Sequence, residues 1–115
     1  MSGDGYYAVI FSSQRTAEDN GYEDMAARMV EIAAAQPGFL GIESARDPGG
    51  AGITVSYWRS LDDITRWRDH SNHRDARRRG KQYWYDSFSV RIAQVIDERS
   101  WPPAPNESGS VQEMR

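Results

Sequence analysis

The chain contains no cysteine. Disulfides, iron–sulfur clusters and thiolate zinc sites are therefore excluded, and the composition suits a reducing compartment. Histidine is almost as scarce, with only His70 and His73. No apolar run approaches the roughly 20 residues that a membrane helix needs, so no membrane partner is expected. The N-terminal MSGDGYYAVIFSS has no basic segment, and its apolar run is too short for a signal sequence, which leaves a cytoplasmic location as the expectation. Positive charge is not in excess either. A formal net charge of −3 argues against the broad basic surface of a dedicated nucleic-acid binder. What is present is a composition 38% hydrophobic with four tryptophans, enough for a folded core. At 115 residues the chain fits one domain.

The pattern of residues gives six elements. YYAVIFSS (6–13) is β-branched and aromatic, a strand. Tyr22, Met25, Ala26, Met29, Val30 and Ala33 form one stripe of a 3.6-residue period, with acidic residues at the start and Pro37-Gly38 at the end, a helix. FLGIESAR (39–46) and GITVSYWRS (52–60) flank the turn Asp47-Pro48-Gly49-Gly50 and read as a hairpin. Ser60 or Asp62 can cap a second helix carrying Leu61, Ile64 and Trp67. The apolar signal breaks near His70, and a further helical piece is expected over 72–79, closed by Gly80. Residues 83–98 form the last strand. The sequence divides into a domain over 1–100 and a Pro/Ser/Gly-rich tail over 101–115, expected to be disordered.

The order β-α-β-β-α-β indicates an α+β, ferredoxin-like domain with a four-stranded antiparallel sheet and both helices on one face. The strands carry apolar residues on both sides, as in Val9 with Ile10 and Ile92 with Ala93. A wet second face would alternate more cleanly. A homodimer packed sheet to sheet, a dimeric α/β barrel, is the expected solution.

The stretch HSNHRDARRRG (70–80) has three readings. His70 and His73 share a helix face, but zinc needs further ligands that the sequence does not supply there, so no metal site is expected. Consecutive arginines fan around a helix at 100° per residue and do not address one groove, so no nucleic-acid partner is expected. The remaining reading is the rim of a cleft. Trp67, Trp58, Tyr83, Tyr85 and Trp84 would supply planar walls for a flat aromatic molecule. His70 or His73 would take a proton from a phenol near neutral pH, and Arg77 would stabilise the anion. Against this, Trp67 at helical spacing from Ile64 is also what a core residue looks like.

YAVIF (7–11), QPGFLGIES (36–44), GITVSYWRSLDDITRW (52–67), HSNHRDARRRGKQYWYDSF (70–88) and VRIAQV (90–95), in this order, resemble the antibiotic biosynthesis monooxygenase domain family. The resemblance covers residues 6–98. It implies a dimeric α+β barrel and, by analogy with some members, oxygenation of a planar phenolic or quinol-like compound by dioxygen with no cofactor. A second branch of the family degrades haem. That branch places a tryptophan on the second helix, which Trp67 matches, and an iron-ligating histidine ten residues on, where this chain has Arg77. Its first-strand asparagine is also missing among Ser12, Ser13 and Gln14. The alternatives are a non-catalytic dimer holding haem or a small aromatic molecule, and a haem-degrading monooxygenase in which His70 or His73, redirected by the helix break, replaces the missing ligand.

Overall fold

A computed structural model describes residues 5–17, 21–70, 78 and 84–103. Its elements run β1 (Tyr6–Arg15), α1 (Tyr22–Ala34), β2 (Phe39–Arg46), β3 (Ala51–Trp58), α2 (Leu61–Arg68) and β4 (Tyr85–Val95). The four strands form one sheet in the order β2-β3-β1-β4, and all three pairings are antiparallel. This is the ferredoxin-like arrangement. The helical piece expected over 72–79 and the tail from 104 lie outside the described residues, save Arg78.

Local chemistry explains the boundaries. The β2–β3 turn closes through the amide of Gly50 donating to the Asp47 carbonyl at 3.0 Å, and the Asp47 carboxylate accepts from the Ala51 amide at 3.0 Å. Ser60 is the N-cap of α2. Its hydroxyl accepts from the Asp63 amide at 3.1 Å and donates to the Asp63 carboxylate at 2.9 Å. That carboxylate also holds Arg66 one turn on, at 2.7 Å. Gly38 has φ of 84° and sits so close to Asp63 that any Cβ would collide with its carboxyl group. Glycine is thus required at the point where the chain leaves α1 and passes under the start of α2. Arg59 donates its amide to the Gly38 carbonyl at 2.8 Å and ties the two segments together.

The strand register sorts the side chains. Val9 lies opposite Ser56 and Ile92, and Tyr7 lies opposite Trp58. Val9 and Trp58 pack with Ala33 of α1 and Ile64 of α2, so both helices cover the same face. On β3 that face carries Gly52, Thr54, Ser56 and Trp58, while the more apolar set Ile53, Val55 and Tyr57 points the other way. Ile53 is 50% exposed there. The hairpin thus turns its more polar set toward the helices. Ser56 is buried in that setting because its hydroxyl accepts from the Trp58 indole Nε1 at 2.9 Å.

Coverage of the helix side is uneven. α1 lies against β2 and α2 against β3. β4 is an edge strand, and its residues on that side, Val90 and Ile92, stay 50% and 46% exposed. The α1 stripe is also only partly used: Ala33 is buried, whereas Val30 is 44% exposed.

Candidate functional site

The five described residues of the expected cleft separate into two groups. Trp58 has no exposed surface, and its ring stacks on Trp67 with centroids 4.8 Å apart and planes 25° apart. Phe39 meets Trp58 edge-on at 5.5 Å. These three rings belong to the core cluster, so Trp58 backs the interior and presents no face to a ligand. Trp67 shares that cluster from a partly buried position. His70 follows the C-cap of α2 and is half-buried, with its amide donating to the Trp67 carbonyl at 3.0 Å. His73, Arg77 and Tyr83 lie outside the described residues.

Tyr85 stands at the other end of the sheet. Trp58 pairs with Tyr7 and Tyr85 pairs with Arg15, eight residues later on β1. That separation is roughly 27 Å of strand. A register shift decides which residue stands there. Gln14 faces Ser87, but Arg15 faces Tyr85, so Asp86 is the extra residue of a bulge. Without the bulge Asp86 would sit beside Arg15. With it, Asp86 turns out to solvent and the Tyr85 ring takes that place.

Around Tyr85 the sheet assembles an aromatic cluster that sequence reading missed. Phe11 meets Tyr85 edge-on at 5.3 Å and Phe88 at 5.4 Å. Tyr22, the first residue of α1, meets Tyr85 at 5.8 Å and the buried Trp84 at 6.0 Å, both edge-on. The Arg15 guanidinium lies 3.7 Å over the Tyr22 ring, a cation–π contact. Arg46 lies 5.9 Å from the same ring and donates to Ser13 Oγ at 2.9 Å and to the Gly50 carbonyl at 2.5 Å. Burial, then the hydrogen bond to Tyr22 and charge repulsion between the two phenol groups, push the Tyr85 hydroxyl well above the usual tyrosine range, although both guanidiniums pull it down. Tyr85 is therefore a proton donor at neutral pH and no base. Phe11 and Ser13 were legible as one strand face, but Arg15 lay beyond the expected strand, and the bulge that brings Tyr85 to them leaves no mark in the sequence.

The sequence matches the antibiotic biosynthesis monooxygenase family over residues 5–79. The chain belongs to that family. It is also 51% identical over 102 residues to the uncharacterized protein YqjZ of Bacillus subtilis, a span of 89% of this chain and 90% of that one. The fold of the family recurs at low identity. The structure of Rv0793 from Mycobacterium tuberculosis aligns with a TM-score of 0.72 at 16% identity, covering 84% of this chain and 100% of that one. SnoaB, a cofactor-independent oxygenase from Streptomyces nogalater, aligns with a TM-score of 0.66 at 13% identity, covering 86% and 99%. No helix among the described residues is long and apolar enough to cross a membrane.

Proposed function

We propose that this family member is a monooxygenase that oxidises a small planar, electron-rich aromatic molecule with dioxygen and without a bound cofactor. The observation that carries the reading is the open aromatic face between β1 and β4, where Phe11, Phe88 and Tyr85 touch one another beside the half-exposed Val90 and Ile92. Aromatic rings in such contact suit a flat ligand stacked or edge-on against them. A phenol or anthrone supplies all the electrons that the reaction needs. An anthrone methylene and one dioxygen give a quinone carbonyl and one water, which balances without an added reductant.

In this scheme Tyr85 keeps its proton and donates to the substrate oxygen. His70 or His73 is the proposed base that removes the substrate proton, and Arg77 the proposed cation that stabilises the resulting anion. The ring lies on Phe11, Phe88 and Val90, while Trp67 and Trp58 hold α2 to the sheet behind it. The occupant of the uncovered sheet face is a second copy of the chain, because that face carries Ile10, Ile53, Val55 and Ala93 with no described helix over it.

Oxygen-electrode measurements with anthrone and hydroxynaphthalenes test the reading. One dioxygen consumed per quinone formed, undiminished by a chelator, is the expected result. Ligand binding with no uptake across the panel would replace the oxygenase reading with the non-catalytic dimer. The closed Trp58–Trp67 stack beside His70 is the one feature that favours this second reading.

A further inference from the structure

The polar end of the aromatic face carries a feature that a purely apolar ligand leaves unused. Ser13, Gly52 and Arg46 occupy one row across β1, β3 and β2. Arg46 lies along this row. A Cβ on Gly52 would stand 2.6 Å from the guanidinium carbon and 2.9 Å from one of its nitrogens, so the missing side chain is what opens the lane. Through it Arg46 crosses β3 and reaches Ser13, which is buried on β1. Among the described residues no carboxylate pairs with Arg46. Its hydrogen bonds go to a serine hydroxyl and a backbone carbonyl, both neutral. Two guanidiniums share the Tyr22 ring, while the chain as a whole is acidic.

From the Arg46–Gly52–Ser13 row, Phe88 is next across on β4 and Phe11 is two residues along β1. Adjacent rows on one face are about 7 Å apart, the span of a fused ring pair. We infer that Arg46, held over Gly52 with Arg15 nearby, is a seat for the anionic substituent of an aromatic carboxylate whose ring rests on Phe11 and Phe88. This rests on the reading of the β1–β4 face as the ligand site, and it narrows the ligand to acids. Guanidinium suits a carboxylate because it is planar and offers paired donors. Both arginines act electrostatically on the Tyr85 hydroxyl, which puts the seat and the proton donor in one field.

Calorimetric titration with 2-naphthoate and 2-naphthol, one charged and one neutral at pH 7, tests the inference. The protein is expected to bind naphthoate at least about tenfold more tightly, the size of one charge-assisted hydrogen bond. Arg46→Gln removes the seat. Gly52→Ala keeps every charge but closes the lane, so it guards against a folding defect in the first variant. In both, naphthoate affinity should fall to that of naphthol. Equal affinity of the unaltered protein for the two ligands overturns the seat alone, as does a preference surviving in both variants. Failure of both ligands to bind overturns the ligand face and the seat together. A preference that stands without any oxygen uptake upholds the seat and removes only the oxygenase reading.

Discussion

At the scale of single residues, burial separates the tryptophans by role. Trp58 is wholly enclosed and meets Phe39 and Trp67, so Trp58→Ala is expected to cost about 3–5 kcal/mol in urea unfolding. Trp101 is 79% exposed, and Trp101→Ala should stay within about 0.5 kcal/mol. Both were visible in the sequence as aromatic residues, but which of them would be enclosed was not. Trp58 was one of several aromatic residues able to wall a cleft, and its packing with Val9, Ala33, Ile64 and Trp67 makes it core. Tyrosine chemistry gives a second prediction. Tyr6 donates to the Glu98 carboxylate, and that bond, followed by desolvation and the carboxylate's charge, pushes it from an ordinary 10.0 up to about 12. Tyr57 donates to Glu43 at 2.9 Å and is raised for the same first cause. The folded state then holds protons that the unfolded chain has already lost. This contribution to stability is complete below pH 10.0, declines as pH rises through about 12, and is level beyond. Phenolate absorbance should show Tyr6 titrating late, and Glu98→Gln should bring it back toward the ordinary value.

At the scale of elements, periodicity located nearly everything that short-range chemistry controls. β2 occupies 39–46 in both readings, α1 ends before Pro37 and Gly38, and Ser60 is the cap. The faces of β3 were harder. Ile53, Val55 and Tyr57 look like the core side by composition, yet Thr54, Ser56 and Trp58 face the helices. The deciding factor is tertiary: Trp58 finds Ile64 and Trp67 on that side, and Ser56 finds the Trp58 indole. Neither the Asp86 bulge nor the register shift between Phe39 and Gly41 on β2 was legible, since an extra residue alters pairing without altering local composition. The α2 entry offers a test of element coupling. Ser60→Ala should cost about 1 kcal/mol through the lost cap. Gly38→Ala should cost about 1–3 kcal/mol, because φ of 84° strains alanine and its methyl displaces the Asp63 carboxyl. Both changes disturb Asp63, so the double variant should lose less than the sum. Full additivity would mean that Gly38 does not act through Asp63.

At the scale of the whole molecule, the two sheet faces have different needs. The helix side is partly covered, and the half-exposed Val90 and Ile92 beside β1 mark the strip proposed for a ligand. The opposite side shows apolar residues with no described helix above them, and a second copy is the expected cover. Sedimentation should find a dimer at micromolar concentration, and Ile53→Lys should shift it toward the monomer, since a lysine there would be buried unpaired. A monomer in the unaltered protein would leave that face without an explanation. The apolar residues on both sides of β1 and β4 that motivate this expectation were legible in the sequence. The exposure of Val90 and Ile92 was not, because it depends on which half of the helix side α1 and α2 cover.

The most direct test concerns that strip. Val90 is half-exposed and lies one row from Ser13, level with Phe11, so Val90→Arg can fold while filling the space above the rings. Oxygen uptake with anthrone should fall at least about a hundredfold in this variant, as expected when a ligand is displaced from its site. Uptake equal to that of the unaltered protein would contradict the assignment of the β1–β4 face as the place where the substrate lies.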